Sequence, residues 1–256
     1  MRKYYSPLKS YHRIKRPRIF YKFANLFLKI IIGKSKVIWL TQISKEPAVF
    51  ICNHTRLWAP LSMEFNFNIK VRPWVNGYML TYRNTIKLFY HKIAYDLRPG
   101  FLRKILLIIF APLINLYFRG LNSIPVFHDM RIRHAFKKTT ETLESGMSVV
   151  IYPEKNIPPP YKYVNELEKG FVHLAKHYYE STGKCVTFYP VYCSRDLKTI
   201  MVGEGVIYNP EIDIKSQRND IAAYLVNQIN KMGGSLPEHK IYMNKVYPPD
   251  INKFNF

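Results

Sequence analysis

The sequence predicts an α/β protein, a single domain in which helices cover a mostly parallel or mixed central sheet. Short apolar runs that suit buried strands end in polar residues, as in "AVFICNH" at 48–54 and "SVVIYPE" at 148–154. Segments with a helical spacing of apolar residues follow the strands, the clearest at 131–145 and 165–183. Strands that alternate with helices are typical of a parallel or mixed sheet with helices packed on it.

Two parts of the chain differ in composition. Residues 1–40 are predicted to form a basic amphipathic helical segment that associates with membranes, and residues 41–256 are predicted to form the α/β domain. With 256 residues, of which 48% are hydrophobic, the chain can bury a substantial core, and this composition excludes a disordered protein.

The charge of the chain points to a polyanionic partner. The formal net charge is +22, and residues 1–40 contain eleven Lys and Arg but no Asp or Glu. In the segment "RPRIFYKFANLFLKIIIGKSK" at 16–36, cations alternate with large apolar residues, as in a helix that lies at a membrane surface. Anionic membrane lipids are therefore the expected partner, and nucleic acid is not expected. A solvated helix that packs on its own domain is the alternative.

The expected location is the cytoplasmic face of a membrane, with peripheral or monotopic attachment. Lys22 and Lys29 interrupt the apolar part of the N-terminus, which argues against a secretory signal. The second apolar stretch, "ILLIIFAPLINLYF" at 105–118, is too short to cross a bilayer, so it either dips into one leaflet or packs as a core helix. The three cysteines, Cys52, Cys185 and Cys193, are predicted to be reduced thiols in the core.

Polar residues stand where several predicted strands end. Asn53 and His54 follow the strand at 48–52, "IPVFH" at 124–128 ends in a histidine, and "YPE" at 152–154 ends in a glutamate. Ligands and catalytic groups of α/β folds gather beyond the carboxyl ends of strands. These positions are therefore the first candidates for a functional site.

The same blocks, in this order, resemble the lysophospholipid and glycerol-phosphate acyltransferase superfamily, including the 1-acyl-sn-glycerol-3-phosphate acyltransferases. The resemblance covers residues 35–210. The family's blocks are Asn-His with an Asp further on, a Gly and Ile block that ends in Arg, Phe-Pro-Glu-Gly, and a Val-Pro-Val type strand. This chain has "NH" at 53–54, "RGLNSIPVFHDMR" at 119–131, "YPEK" at 152–155 and "YPV" at 189–191.

The resemblance implies a membrane-associated enzyme of phospholipid synthesis. It would move a fatty acyl group from acyl-CoA or acyl-carrier protein to glycerol phosphate or a lysophospholipid. His54 is the expected general base, because a neutral imidazole can remove the proton of the attacking hydroxyl. The expected substrate-binding residues, most of them cations suited to a phosphate, are Glu154, Lys155, His128, Arg131, Arg133 and Arg56.

The chain departs from the family where the aspartate of the first block would stand, because that position is Ala59. Such a carboxylate fixes the tautomer of the histidine and stabilises the imidazolium. Glu64, Asp96 or Asp129 could supply a replacement, or a backbone carbonyl or water could orient the ring. Alternatively, the protein is a catalytically silent lipid-binding or regulatory relative. No bound cofactor and no metal site are expected, since no His or Cys cluster has ligand spacing.

Overall fold

The structure is a computed structural model that describes residues 17–80, 82, 85, 101–127, 129–155 and 163–241; within 101–109 it describes only the backbone. His128 and Asp96, which the sequence analysis singled out, lie outside the described residues. The chain divides into two compact units. One comprises residues 1–28 and 76–123, and the other comprises residues 29–75 and 124–256.

The described elements follow one another along the chain in an order that alternates between strands and helices for much of its length. They are α1 (Arg18–Ile32), β1 (Lys36–Trp39), β2 (Val49–Cys52), α2 (Trp58–Asn66), β3 (Val71–Asn76), a 3₁₀ turn (Gly77–Leu80), α3 (Phe101–Gly120), β4 (Ile124–Val126), α4 (Ile132–Glu144), β5 (Ser148–Ile151), a second 3₁₀ turn (Lys169–Val172), α5 (His173–Thr182), β6 (Thr187–Ser194), β7 (Thr199–Val202), β8 (Val206–Ile207) and α6 (Ile214–Ser235).

The smaller unit contains most of α1 and all of α3. The rings of Tyr21 and Tyr117 lie 5.3 Å apart between their centroids. Gly120 is required where the helices approach, because a Cβ atom at this position would lie 2.5 Å from the Cβ of Tyr21. Asn115 donates a hydrogen bond of 3.0 Å to the carbonyl of Met79. Close packing and buried polar contacts thus hold this unit together.

A mixed sheet forms the centre of the larger unit, with strand order β1-β7-β6-β2-β5-β3-β4 and with β8 paired to β6. The pairs β1 with β7, β2 with β5, β2 with β6 and β3 with β5 are parallel. The pairs of β6 with β7 and β8 are antiparallel. The predicted fold class, α/β with a mostly parallel or mixed sheet and covering helices, is confirmed.

The two faces of this sheet pack into separate apolar clusters. Val49 and Ile51 of β2 belong to a cluster with residues of α4, α5 and α6, whereas Phe50 and Cys52 belong to a cluster with residues of α2. All four side chains are 0% exposed. This burial on both faces explains why β2 is a continuous apolar run and does not alternate with polar residues.

The N-terminal segment is helical only in part. The described helix α1 ends at Ile32, and Gly33 follows it with a φ of 72°. Residues 36–39, which lie inside the predicted segment 1–40, form β1 and pair with β7. Val37, Ile38 and Trp39 are good strand formers, and the sheet provides the partner that they need. The division into parts at residue 40 stays a prediction.

The described helices include no apolar stretch that is long enough to cross a membrane. The stretch at 105–118 lies within α3, a continuous helix of 20 residues with Pro112 inside it. Two of the three cysteines, Cys52 and Cys193, are buried free thiols as predicted. The prediction was wrong for Cys185, which is exposed because it precedes β6 and does not lie within the strand.

Candidate active site at the strand exits

The candidate site lies at the carboxyl ends of neighbouring parallel strands in the larger unit. Strand β2 lies between β5 and β6, and Ile51 is in register with both Ile151 and Pro190. Because paired parallel strands end at the same edge of a sheet, the residues after β2 and β5 meet there. The register therefore brings together two sequence blocks that are 100 residues apart.

A hydrogen bond joins these two strand exits directly. The backbone N–H of His54 donates to Oε2 of Glu154 over 2.8 Å. Burial raises the pKa of the Glu154 carboxyl to about 7, although this hydrogen bond acts in the opposite direction. His54 and Glu154, which the sequence analysis selected separately, are thus in contact.

Asn53 anchors the chain just before the histidine. Its side chain is 5% exposed, accepts a hydrogen bond of 2.7 Å from the backbone N–H of Cys193, and donates one of 3.1 Å to the carbonyl of the same residue. The amide thereby continues the pairing of β2 with β6 for one more residue. This double contact fixes the backbone from which His54 extends.

The loop after His54 turns sharply into α2. Arg56 has a φ of 54°, in the left-handed region that non-glycine residues seldom adopt, and the N–H of Trp58 donates to the carbonyl of Thr55. Arg56 is exposed, and in the part of the chain that the structure describes its guanidinium has no ion pair or hydrogen bond. Its charge is therefore available to a ligand.

Two cations of the other blocks, Arg131 and Lys155, are engaged by local carboxylates. Arg131 forms an ion pair with Asp129 and lies 3.9 Å above the centre of the Phe127 ring. Lys155 Nζ lies 2.6 Å from Oε1 of Glu166, and this hydrogen bond raises the pKa of the Lys155 ammonium. Exposed Arg133 lies in the first turn of α4.

A second short pairing holds the loop that contains Glu154. Glu154 forms an isolated antiparallel bridge with Leu167, the N–H of Lys155 donates to the carbonyl of Glu166, and the N–H of Glu168 donates to the carbonyl of Pro153. The loop after β5 is thus held both by residues 166–168, which precede the second 3₁₀ turn, and by the loop after β2.

Tyr152 is a neighbour of His54 that the sequence analysis did not select. The rings of the two residues meet edge to face, with 5.5 Å between their centroids. Burial raises the pKa of the Tyr152 phenol, and the charges of Cys52, Cys193 and Glu64 act in the same direction. The signal in the sequence was the tyrosine of "YPEK", where the family's third block has phenylalanine.

Position 59 lies inside the protein. Ala59 is 0% exposed at the second residue of α2, and it belongs to the same apolar cluster as Cys52 and Met63. The described residues contain no group of three or more His, Cys, Asp or Glu side chains that could hold a metal ion.

Similarity to known proteins is found among solved structures. No family model and no curated protein sequence matches the chain. A search of solved structures finds similarity to the crystal structure of the 1-acyl-sn-glycerophosphate (LPA) acyltransferase PlsC from Thermotoga maritima. That match has 15% sequence identity and a TM-score of 0.47, and it covers 89% of this chain and 81% of the other.

Proposed function

We propose that this protein is a membrane-associated glycerolipid O-acyltransferase. It would transfer a fatty acyl group from acyl-CoA or acyl-carrier protein to the hydroxyl of glycerol phosphate or a lysophospholipid. The observation that carries the proposal is the hydrogen bond between the His54 backbone and Glu154, because it unites the "NH" and "YPE" blocks in one site. A histidine held at a strand exit beside a largely buried carboxyl is suited to proton transfer.

In this reaction His54 would act as the general base. Nδ1 of the ring is buried, so Nε2 is the nitrogen that would remove the proton from the acceptor hydroxyl. The hydroxyl oxygen attacks the carbonyl carbon of the thioester, the C–S bond breaks, and the departing thiolate takes the proton back from the imidazolium. This sequence needs no covalent acyl-enzyme and no metal-bound nucleophile.

A phosphate on the acceptor would need a cation that is not already engaged. Arg56 meets this condition, since its guanidinium is exposed and has no ion pair among the described residues. A guanidinium matches the geometry of phosphate oxygens with two parallel hydrogen bonds. Arg56 is therefore the first choice as the phosphate ligand, while Arg131 and Lys155 would have to give up carboxylate partners.

The surface of α1 supports attachment to an anionic bilayer. One stripe of this helix contains six large apolar side chains that are each between 62% and 75% exposed: Ile19, Phe23, Leu26, Phe27, Ile30 and Ile31. Exposed cations at Arg18, Lys22 and Lys29 lie along one edge of the stripe. An apolar stripe beside cations is typical of helices that lie in the interface of anionic membranes.

The test of the catalytic proposal is acyl transfer by the purified full chain in lipid. Acyl-CoA and acyl-carrier protein serve as donors, and glycerol phosphate and lysophosphatidate serve as acceptors. We expect His54→Ala to lower kcat by at least about a thousandfold. His177→Ala is the matched control, because this histidine packs between α4 and α5 and bonds Thr140, and it should keep its activity.

Two results would contradict the catalytic proposal. If the His54→Ala variant retained full activity, the reaction would not use this histidine. If the wild type transferred no acyl group with any donor or acceptor, yet was folded and bound vesicles, the protein would be a silent lipid-binding relative. The burial of an alanine at position 59 is the observation that favours this second function.

The membrane proposal has a separate test, the sedimentation of vesicles that contain phosphatidylglycerol. The double change Phe23→Asp and Phe27→Asp should weaken binding at least about tenfold, because two apolar side chains leave the interface and two negative charges enter it. Ile207→Asp is the control, since Ile207 is 63% exposed but lies on β8. Equal binding of both variants would exclude α1 as the lipid-binding surface.

A further inference from the structure

A group of basic side chains lies between α5 and α6, outside the candidate active site. Nη1 of Arg218, in the second turn of α6, lies 3.5 Å from Nε2 of His173, the first residue of α5. Lys176 follows His173 by three positions, and residues three apart lie on the same face of a helix. The two helices thus bring Arg218, His173 and Lys176 together within the larger unit, and we call these three residues the α5–α6 cluster.

The guanidinium of Arg218 has donors that the protein does not use. The side chain is partly buried, and in the part of the chain that the structure describes its Nε has no hydrogen-bond partner and no carboxylate pairs with it. Leaving a buried donor without a partner destabilises a protein, so this group calls for an explanation by function. Because Nη1 contacts His173, the edge formed by Nε and Nη2 is left for a ligand. That edge matches two oxygens of a phosphate.

The charges that surround His173 are positive. Burial lowers the pKa of its imidazole, and the charges of Arg218 and Lys176 act in the same direction. A neutral imidazole can accept the Nη1–H of Arg218 at Nε2, and this contact orients the guanidinium. Lys176 Nζ lies 3.7 Å from Oε1 of Glu180, but both side chains are largely exposed and such pairs are weak. The α5–α6 cluster therefore suits an anion.

Contacts connect the α5–α6 cluster to the exit of β5. The N–H of Glu168 donates to the carbonyl of Pro153 over 2.7 Å. Lys169, the next residue, donates from Nζ to Oδ1 of Asn219 over 3.0 Å, and Asn219 directly follows Arg218 in α6. The cluster thus borders the segment that packs on the loop after β5. The far end of a long substrate, whose reacting group lies at the strand exits, could reach this position.

We propose that the α5–α6 cluster binds the 3′-phosphate of coenzyme A, so that the acyl donor is acyl-CoA. The inference deepens the proposed acyl transfer and rests on it. This phosphate is a monoester with about two negative charges and three terminal oxygens, and it lies at the opposite end of CoA from the thioester. Arg218 and Lys176 supply the positive charge, and His173 is a positioning residue that holds the guanidinium.

The direct test measures binding without turnover. Isothermal titration calorimetry of the purified full chain in detergent micelles gives the Kd of CoA and of 3′-dephospho-CoA, which lacks only this phosphate. We expect the wild type to bind CoA at least about tenfold more tightly than 3′-dephospho-CoA, and Arg218→Gln to reduce this preference to less than about threefold. Arg218→Lys keeps the charge but loses the two parallel hydrogen bonds, so its preference should be intermediate.

Lys231→Gln is the matched control, since it also removes one positive charge from α6, at an exposed position near the other end of the helix. Its preference for CoA should stay within about twofold of that of the wild type. The positioning role of His173 has its own pair of variants. His173→Ala should lower the preference at least about threefold, and His173→Gln should restore most of it, because an amide oxygen can accept the same hydrogen bond.

Three results of these measurements would overturn the proposal. If the wild type bound CoA and 3′-dephospho-CoA equally, the protein would not recognise the 3′-phosphate. If Arg218→Gln kept the preference of the wild type, the phosphate would bind elsewhere. If Arg218→Gln weakened the sedimentation of vesicles that contain phosphatidate and left the preference for CoA unchanged, the cluster would bind a lipid phosphate instead.

Turnover separates this inference from the proposed function. In an active enzyme, Arg218→Gln should raise the KM for acyl-CoA at least about tenfold. An unchanged KM, or an enzyme that accepts acyl groups from acyl-carrier protein alone, would contradict the inference and leave the proposed acyl transfer intact. A wild type that shows the predicted preference for CoA but transfers no acyl group would contradict the proposed function alone.

Discussion

The exits of β2 and β5 and the cations near them are held by different kinds of contact. At the exits, a buried amide and a largely buried carboxyl bond the backbone across strands that are distant in sequence, as Asn53 does to Cys193 and Glu154 does to His54. The cations Arg131 and Lys155 instead pair with carboxylates that are close in sequence, at the protein surface.

This difference shows which site residues have positions fixed by the fold and which can change their partners. A buried hydrogen bond to a strand exit is part of the sheet, so its loss should unfold or misplace the site. An exposed ion pair is screened by water and contributes little to stability. We therefore expect the exits to determine stability and catalysis, and Arg56, which has no ion pair among the described residues, to determine the choice of acceptor.

The largest effect on stability should come from Asn53→Ala. This change leaves the buried N–H and carbonyl of Cys193 without their partner, at a cost of about 4 kcal/mol for the two groups. Urea denaturation measures it. Asn219→Ala is the control, because Asn219 bonds Lys169 at the surface and should cost less than about 0.5 kcal/mol. If both variants lost a similar free energy of unfolding, the hydrogen bonds at the strand exits would be no more stabilising than those at the surface.

The next effect depends on pH and tests the burial of Glu154. Its pKa is raised to about 7 in the folded protein, so folding favours the protonated carboxyl. This contribution to stability is fully present below the pKa of the unfolded state and is lost as pH rises through about 7. At about 1.36 kcal/mol per pH unit, it amounts to about 3 kcal/mol between pH 4 and pH 8.

Glu154→Gln isolates that contribution, because glutamine does not titrate. We expect the wild type to lose about 3 kcal/mol relative to the Glu154→Gln variant between pH 4 and pH 8, as measured by chemical denaturation across this range. If the free energies of unfolding of the two proteins changed equally with pH, the Glu154 carboxyl would be solvated. The strand exits would then not differ in burial from the surface cations.

A smaller effect, on specificity, is expected at Arg56. Arg56→Ala should lower kcat/KM for lysophosphatidate about tenfold and leave monoacylglycerol almost unaffected, because the two acceptors differ by the phosphate. Steady-state kinetics with both acceptors measures the ratio of kcat/KM for lysophosphatidate to kcat/KM for monoacylglycerol. Arg133→Ala, which removes another exposed cation, should change it less than about twofold. An equal loss for both acceptors would show that Arg56 does not contact the phosphate.

The smallest effect should follow from Lys155→Ala. The ion pair with Glu166 is partly exposed, and such pairs contribute between about 0 and 1 kcal/mol. We expect the free energy of unfolding to change by less than about 0.5 kcal/mol and kcat/KM for lysophosphatidate to change less than about twofold. A loss as large as that of Arg56→Ala would mean that Lys155 leaves Glu166 to bind the acceptor.

The predictability of the fold follows from its local patterns. The apolar run at 48–52 corresponds to β2, because a strand that is buried on both faces is continuously apolar. The spacing at 131–145 corresponds to α4, because a helix that is buried on one face repeats its apolar residues every three or four positions. The prediction was least accurate for β1, inside the basic segment, because four residues with an exposed first position carry little pattern of their own. Their pairing with β7 determines their structure.

The candidate site could be predicted only in outline. His54 and Glu154 were selectable because each follows a strand, and the parallel register of β2 and β5 then brings such positions together. Tyr152 was overlooked because an aromatic residue at a strand end usually indicates core packing, and only the buried hydroxyl beside His54 distinguishes it.

The amino-acid sequence by itself determined the α/β class, the positions of the strand exits, the excess of positive charge and the apolar stripe of α1, because each depends on residues that are near one another in the chain. The tertiary structure alone decided which cations keep a free charge, that Glu154 bonds the backbone of His54, and that Tyr152 lies against its ring. Those properties depend on partners up to 100 residues away and on burial, which changes both the strength of a charge and the cost of leaving a polar group unpaired.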